Sequence, residues 1–366
     1  MLFALKPNPL DNPFGEWLVR SLPARTHARW FSWRTAILGR YDIFHVQWPE
    51  YLFDSNDTIK AVGKAVLGSA LLLRLFIMNT PVVQTIHTQR PYEGVSKLAS
   101  LQSRVLARRT VFKVYLNESS ENDYSQGAVI LLGRYQYSIE RAQKRSTDSS
   151  ILFFGLIKEY KGIEDLLSAF GGVDDRYAVL SIVGPPTDQG YASQIAALAS
   201  RDQRVALDMR RLTDEELVAT IDDSNLVVLP YRTMYNSSAL LLALDRGVPV
   251  LAPASPANLK IQEEVGADWL RLFDQVLDAS ALQQASQFAS RTIRDGADEP
   301  NLVRREWSTI GELHGELYEI VVASTRHDRR VSERRTRIRY LVERDSRFRS
   351  HSAMNSSGAQ STKVHE

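Results

Sequence analysis

The sequence predicts an α/β protein of two doubly wound domains, each with a parallel sheet covered by helices. Short β-like runs alternate with helical runs in two successive passages of the chain, which is the pattern of βαβ units. Several strand candidates are continuous apolar runs, as expected when both faces of a sheet are buried. The length of 366 residues also suggests about two domains.

The first passage predicts a Rossmann-like domain over residues 1–140. Its strand candidates are short runs rich in branched and aromatic side chains, at 2–6, 41–46, 81–87, 111–116 and 128–132. Helical stretches lie between them, notably 58–78 and 94–109.

The second passage predicts another Rossmann-like domain, over residues 150–300. Its strand candidates lie at 150–155, 177–184, 204–209, 225–231 and 248–253. The predicted helices follow at about 161–170, 190–200, 213–222, 237–246 and 257–265. The polar stretch 138–150 has no hydrophobic period and is expected to link the two domains. Two such domains are expected to leave a cleft between them.

The composition is that of an ordinary globular protein, with 44% hydrophobic and 24% charged residues. The absence of cysteine excludes disulfides, thiolate metal sites and cysteine nucleophiles, and it fits a reducing cytoplasm. The pattern contains no metal-binding cluster, so no metal is expected. The aspartate pairs at 174–175 and 222–223 lie near predicted helix ends and are expected to be solvated.

The most apolar segment is 65–78, which Arg74 interrupts. It is shorter than the roughly 20 residues that span a bilayer, so a buried crossover helix is the first interpretation. A second interpretation is a helix that also touches a membrane surface, with Lys60, Lys64 and Arg74 at its polar edge.

The C-terminal stretch 326–366 is basic, with eleven lysines and arginines against five acidic residues, a net of +6 that leaves the rest of the chain at −4. Such a tail is expected to be a solvated, partly disordered extension, or to bind anionic lipid. It has few aromatic residues between its cations, so no nucleic-acid partner is expected.

The second predicted domain has candidate anion ligands just after its first two strands, where ligands bind in doubly wound sheets. Gly155 ends the first strand, Lys158 and Lys161 follow in the loop, and Gly184 ends the second strand. A lysine beside a helix N-terminus suits a diphosphate, because the ammonium and the unpaired backbone N–H groups both favour anions. Surface lysines and a plain turn are the alternative interpretations.

The stretch 231–253, "YRTMYNSSALLLALDRGVPVLAP", predicts a strand end, a turn, a helix and a further strand. Asn236 or Ser237 is a plausible N-cap. The small residues Ser238 and Ala239 permit close approach to the helix N-terminus. Beside them, Tyr231 ends the strand and Arg232 could contact a phosphate with both of its forked nitrogens. An ordinary capped helix explains the same residues.

The first predicted domain places polar and aromatic residues after two strands. His87 follows the third strand, where a histidine can orient a sugar hydroxyl or transfer a proton. His45, Trp48 and Glu50 follow the second strand, and rings with carboxylates suit carbohydrate. Structural roles remain open for His87 and Trp48.

These segments together resemble a family. The stretches "ILFFGLIKEYKGIEDLLSAF", "LSIVGPP…GY", "DEELVATIDDSNLVVLPY" and "SALLLALDRGVPVLAP" resemble the donor domain of GT-B glycosyltransferases, close to glycosyltransferase family 4. "NPLDNPFGEWL", "DIFHVQWPEYLF" and "TIHTQRPYEG" resemble a bacterial branch that builds cell-surface polysaccharides and includes mannosyltransferases of xanthan-type assembly. Residues 305–321 are similar to the terminal helix that crosses back to the first domain, here expected over 301–323.

The resemblance implies a metal-independent transferase without a cofactor, whose donor substrate is a UDP- or GDP-sugar. The second domain would bind this nucleotide sugar, with Lys161 matching the family's phosphate lysine. The first domain would bind a lipid-linked or polysaccharide acceptor, with His87 matching the histidine near the donor sugar. The residues expected to bind the acceptor are Asn12, His45, Trp48, Glu50 and Arg90. The enzyme is expected to be cytoplasmic, with peripheral attachment to the inner face of the plasma membrane as a further hypothesis.

The sequence also departs from the family pattern. Met234 and Leu242 stand where many relatives carry two glutamates, and Leu156 replaces the usual arginine after the glycine. In the branch motif, Tyr92 stands in place of a second histidine, and His45-Val46-Gln47 replaces the usual His-x-His before Trp-Pro-Glu. These departures favour an alternative, a non-catalytic scaffold or sugar-nucleotide sensor in a polysaccharide assembly complex. A sugar-nucleotide 2-epimerase needs acidic residues that the matching motif lacks.

Overall fold

The computed structural model describes residues 1–5, 13–55, 57–88, 96–135, 137, 139–140, 149–294, 299–328 and 330–348. The chain divides into two compact units. The first consists of residues 1–133 together with the chain from 304 onward, and the second of residues 134–303. No helix among the described residues is long and apolar enough to cross a membrane.

The first unit contains a six-stranded parallel sheet. Its strands are β1 (Leu2–Phe3), β2 (Arg29–Trp30), β3 (Phe44–Val46), β4 (Val82–Ile86), β5 (Thr110–Tyr115) and β6 (Gly127–Val129), in the spatial order β2-β1-β3-β4-β5-β6. The helices before residue 133 are α1 (Phe14–Ser21), α2 (Trp33–Leu38), α3 (Pro49–Phe53), α4 (Thr58–Ile77) and α5 (Lys97–Arg109). The strand β2 has no counterpart in the sequence prediction, because its two residues, one charged and one aromatic, do not form an apolar run.

The sheet of the first unit is buried on both faces. Successive strand residues point to opposite sides of a sheet, and two neighbouring residues of β4 belong to different hydrophobic clusters. Val82 belongs to a hydrophobic cluster with Leu71 and Leu75 of α4. Val83 belongs to the other cluster, which includes Leu317. The latter residue lies on a C-terminal helix, so the end of the chain completes the core of the first unit.

Two C-terminal helices, α12 (Trp307–His327) and α13 (Val331–Arg344), pack against the first unit. The described part of the chain after 326 is therefore folded, which differs from the free basic extension that the charge suggested. The physical reason is an apolar stripe, Ile338, Val342 and Phe348, that enters the core between the arginines. Residues 349–366 lie outside the described part.

The second unit contains another six-stranded parallel sheet, in the order β12-β11-β10-β7-β8-β9. Its strands are β7 (Ser150–Phe154), β8 (Val179–Val183), β9 (Val205–Asp208), β10 (Leu226–Val228), β11 (Val250–Pro253) and β12 (Leu270–Phe273). Its helices are α6 (Ile163–Gly171), α7 (Gln189–Ala199), α8 (Asp214–Asp222), α9 (Ser238–Asp245), α10 (Pro256–Val265) and α11 (Ala279–Arg294). The predicted α/β class with two parallel sheets is confirmed.

Candidate functional site

The loops after β7 and β8 lie side by side in the second unit. A backbone bridge joins Ile157 to Pro186. Gly155 and Gly184 both have positive φ values, 120° and 140°. A Cβ on Gly184 would lie 2.1 Å from the carbonyl oxygen of Gly155, so only glycine fits there. The backbones at the ends of β7 and β8 are therefore in close contact, with no side chain between Gly155 and Gly184.

Lys161 extends over this turn. A Cβ added to Gly155 would lie 3.0 Å from its Nζ, which places the ammonium against the glycine backbone. The side chain is buried, and burial lowers the pKa of the ammonium. None of the described carboxylates forms an ion pair with Lys161. A buried cation without a carboxylate partner is unusual, because burial of a charge is costly unless the charge is compensated.

Hydrogen bonds connect Lys161 to the start of α9. Its Nζ donates to the Tyr231 hydroxyl at 2.9 Å, and this hydroxyl is also hydrogen-bonded to Ser237. Ser237 is the N-cap of α9, since its side chain accepts from the backbone N–H of Leu240. The N-cap prediction thus falls on Ser237 rather than Asn236. The arrangement joins an ammonium to a helix N-terminus, two groups that each favour an anion.

A tyrosine not identified from the sequence lies at the same helix end. Tyr135 forms a hydrogen bond with Ser238 and stacks on Tyr137 with a ring separation of 6.1 Å. Burial raises the pKa of the Tyr135 hydroxyl. The only sequence signal was its position a few residues after the predicted strand 128–132.

Arg232, another predicted donor ligand, is paired with carboxylates. Its Nε donates to Asp165 at 3.1 Å, and its NH2 lies 3.5 Å from Glu164. Both acids lie in the first turn of α6. Lys158 and Asn236 are half-buried, and Ala239 lies in the first turn of α9. Lys161, Tyr231, Ser237 and the two strand-end glycines therefore form the compact part of the predicted donor site.

The two positions without glutamates are filled by core side chains. Met234 and Leu242 are both buried. The amide of Asn258 donates to the Met234 sulfur at 3.2 Å and to the carbonyl of Pro253 at 2.8 Å. This part of the second unit therefore presents packed apolar side chains where a carboxylate would otherwise stand.

The expectation that both residues of the 222–223 pair are solvated is wrong for Asp222. Its carboxylate accepts from Nε and NH2 of Arg246, at 2.7 and 2.5 Å, and both side chains are buried. Arg246 also donates to the carbonyl of Ile139. The pair ties the ends of α8 and α9 together and is structural.

His87 lies in the first unit just after β4, between aromatic rings. It stacks on Trp48 with ring centroids 4.1 Å apart and meets Phe14 edge to face. Its Nε2 lies 2.7 Å from Oε1 of Gln47. Enclosure by these groups lowers the pKa of His87 to about 3, so the ring is neutral at physiological pH.

Gln47 continues this network to His45. Nε2 of the amide lies 3.1 Å from Nε2 of His45, which also lies 2.8 Å from the Thr85 hydroxyl. On the other side of the ring, Nδ1 lies 2.7 Å from the Tyr318 hydroxyl of α12. His45 is fully buried. It therefore supports the site from beneath and does not present a surface to an acceptor, which corrects the sequence prediction.

Trp48 and Glu50 follow Gln47 in the sequence and lie at the start of α3. Trp48 is the N-terminal flanking residue of α3, and Glu50 is half-buried in its first turn. Asn12 and Arg90, the other predicted acceptor ligands, lie outside the described residues.

A model of the family described as "Glycosyl transferases group 1" matches residues 148–285. The chain is 34% identical to a GDP-mannose:glycolipid 4-beta-D-mannosyltransferase of Xanthomonas campestris pv. campestris. The match extends over 314 residues, which are 86% of this chain and 89% of that protein. A second protein of the same name and pathovar is 33% identical, over the same fractions of the two chains.

Solved structures agree on the fold. The Anabaena protein HepE in complex with UDP matches with a TM-score of 0.58 and 14% identity, over 87% of this chain and 98% of that chain. A sucrose-phosphate synthase from Thermosynechococcus elongatus matches with a TM-score of 0.55 and 21% identity, over 78% and 74%. The fold is thus the GT-B fold of glycosyltransferases, and the chain belongs to the glycosyltransferase family that contains the GDP-mannose:glycolipid mannosyltransferases.

Proposed function

We propose that this glycosyltransferase moves mannose from GDP-mannose to a glycolipid acceptor in the synthesis of a cell-surface polysaccharide. The relatives that span most of the chain carry that activity in their names. One observation in the molecule supports a diphosphate donor above the others: Lys161 is a buried cation whose hydrogen bond through Tyr231 leads to the N-cap of a helix. An anion bound there would compensate the buried charge.

In this proposal the second unit binds the donor, and its positive groups stabilise the leaving diphosphate. Lys161 is joined to the start of α9 through Tyr231 and Ser237, so both could stabilise the negative charge that develops as the sugar leaves. We propose that these groups supply the positive charge and that neither metal nor cofactor is needed. Addition of EDTA should then leave the rate of transfer unchanged.

The first unit binds the acceptor in this proposal, beside His87. The neutral ring of His87 can accept a proton from an attacking hydroxyl or orient the sugar. The stacked ring of Trp48 offers an apolar face of the kind that packs against carbohydrate. We further propose that the enzyme works at the cytoplasmic face of the membrane, where a glycolipid acceptor is presented.

The test is a thermal-shift screen with GDP, UDP and ADP, followed by a transfer assay with GDP-mannose and a glycolipid acceptor. A ligand at a hundredfold excess over its dissociation constant stabilises a protein by roughly 2.7 kcal/mol. We expect a shift with GDP that Lys161→Ala clearly reduces. Lys260→Ala, which loses a lysine paired with Glu263 elsewhere in the second unit, is the matched control and should keep the shift.

A shift with UDP alone would replace the proposed donor by a UDP-sugar. Binding of GDP without any transfer from GDP-mannose would instead indicate that the apolar positions Met234 and Leu242 have changed the sugar that is accepted. No shift with any nucleotide would contradict the assignment of Lys161 to the donor.

A further inference from the structure

The helix α4 carries an unusual stripe of apolar side chains on the surface of the first unit. The stripe follows helical spacing, and its members are each between 59% and 86% exposed: Ile59, Val62, Val66, Leu73, Phe76 and Ile77. The opposite side of the same helix is already buried, through Leu71 and Leu75. The stripe is therefore an additional apolar face beyond the one that holds the helix to the core.

The neighbouring helix α5 extends this surface. Leu98 and Leu101 are half exposed. The amide of Gln102 in α5 donates to the carbonyl of Ala65 and to the Ser69 hydroxyl in α4, which fastens the two helices side by side. A contiguous apolar surface of this kind usually marks a binding face.

The charge of the two helices is entirely positive. Together α4 and α5 contain seven lysines and arginines and no aspartate or glutamate. Those on the surface are Lys60, Lys97, Arg104 and Arg108. The guanidinium of Arg109 lies 5.4 Å from the ring of Phe76, so a cation adjoins the stripe itself. Apolar side chains surrounded by cations are the pattern of an interfacial helix on anionic lipid.

Two arginines of the C-terminal helix α13 hydrogen-bond to the backbone at the ends of α4 and α5. Arg335 donates to the carbonyls of Ala107, Arg108 and Thr110 at the end of α5. Arg334, which is fully buried, donates to the carbonyl of Asn79, two residues after the end of α4. These basic residues hold the ends of the two helices in place, so they are less available to lipid than the sequence suggested.

We propose that the exposed face of α4 and α5 docks on an anionic lipid surface. The apolar stripe would enter the boundary between headgroups and acyl chains, while Lys60, Lys97, Arg104 and Arg108 would contact lipid phosphates. This deepens the proposed function, since it names the surface that holds the enzyme where a glycolipid acceptor is found, and it assigns this role to the helix pair rather than to the basic tail.

A second copy of the chain fits this face less well. In a two-fold dimer the same patch meets itself. The four surface cations of one copy would then face the four of the other without any carboxylate from either helix pair, and like charges that meet across an interface are costly. Anionic lipid supplies the missing negative charge.

The test compares flotation of the full chain with vesicles of phosphatidylcholine that contain phosphatidylglycerol and with vesicles of phosphatidylcholine alone. We expect binding to the anionic vesicles that weakens as salt is raised. The double variant Val62→Glu, Val66→Glu should lower the partition coefficient about tenfold or more, because it removes apolar contacts and adds two negative charges.

The matched control is the double variant Val276→Glu, Val303→Glu, which changes two valines of similar exposure outside the helix pair. It should bind the anionic vesicles like the wild type. Equal loss in both variants, or no binding by the wild type, would overturn the proposal. So would a stable wild-type dimer that the first variant converts to monomer, since the face would then be a subunit interface.

The proposed reaction is measured separately with a water-soluble, short-chain acceptor. The variant at residues 62 and 66 should transfer sugar to this acceptor at the wild-type rate and lose activity only on vesicles. If no variant or wild-type enzyme transferred sugar to either acceptor, the proposed function would fail while the vesicle result still stood. Equal loss on the soluble acceptor would show that the substitutions damage the enzyme rather than its docking.

Discussion

Nε2 of His87 lies 2.7 Å from Oε1 of Gln47, and this contact determines the tautomer of the histidine. An amide oxygen can only accept, so Nε2 must carry the proton and Nδ1 the lone pair. The amide nitrogen of the same glutamine points to Nε2 of His45 at 3.1 Å, which must then accept. One glutamine therefore sets the tautomers of two histidines.

Gln47→Glu should make activity sensitive to acid. The new carboxylate keeps an acceptor beside His87 but adds a negative charge, which favours the imidazolium and raises the pKa of His87 from about 3 by about 1–3 units. If the reaction needs neutral His87, the acidic limb of the kcat/KM profile should move to higher pH. The measurement is a pH profile of transfer for the wild type and the variant.

Gln194→Glu is the control, because it adds the same charge at an exposed position in the second unit. Its profile should match that of the wild type. An unchanged profile in Gln47→Glu, with the variant folded and active, would mean that proton loss from His87 does not limit the reaction.

Lys161→Met should have opposite effects on binding and on stability. Removal of the ammonium should weaken GDP binding by about 1.5–3 kcal/mol, the range of a hydrogen bond to a charged group. Without ligand, the free energy of unfolding should stay equal or rise, because the variant relieves a buried charge that has no carboxylate partner among the described residues. Isothermal titration and urea unfolding measure the two quantities.

Tyr231→Phe separates the two effects. It keeps the ammonium but removes the hydroxyl that accepts from it at 2.9 Å, so the ligand-free protein should be destabilised. A large loss of stability in Lys161→Met would show that the lysine is structural, against the proposed donor role.

Local patterns predicted which residues of the second unit lie close together. Gly155, Gly184, Lys161 and Ser237 each follow a strand or begin a helix, and the parallel arrangement of the strands brings such positions to one edge of a sheet. The contacts among Lys161, Tyr231 and Ser237 span some 76 residues of sequence, yet the fold class alone implies their proximity. Their roles in binding remain predictions.

The support beneath His87 could not be read from the sequence. Tyr318 contacts His45 across 273 residues of sequence. To predict this contact, one would need to know that α12 packs on the first sheet and which face of the helix is turned toward it. Asp222 near a helix end was indistinguishable from a solvated acid, because its partner Arg246 is fixed only by tertiary packing. In α13, the many arginines made the segment read as a solvated tail, although the apolar residues between them, including Ile338, are part of the core.

Asp222→Ala should destabilise the second unit strongly. The change leaves Arg246 buried without its carboxylate partner, and the loss of one member of a buried pair costs about 3–5 kcal/mol. Asp223→Ala, at the exposed neighbouring position, should cost little. Urea unfolding of both variants makes the comparison, and a cost below that of Asp223→Ala would show that Arg246 finds other partners.

His314→Leu should reduce the sensitivity of the fold to acid. The ring of His314 is fully buried in α12, its Nδ1 lies 2.9 Å from the carbonyl of Ile310, and its Nε2 has no hydrogen-bond partner in the described part of the chain. Burial lowers its pKa to about 4. The ring of His45, also buried and of lowered pKa, lies 6.0 Å away.

The sign follows from proton uptake. Below a pH of about 6.5 the unfolded chain protonates this histidine while the folded chain does not, so acid favours unfolding until the pH reaches the folded pKa. The difference between about 4 and 6.5 corresponds to about 3 kcal/mol lost by the wild type over that range. The variant should lose less stability in acid. The difference between its free energy of unfolding and that of the wild type should therefore change in favour of the variant as the pH falls from 7 to 4.5. His27→Leu, at an exposed loop position, should track the wild type in the same urea titrations. Parallel curves for His314→Leu and the wild type would mean that the acid sensitivity comes from other groups.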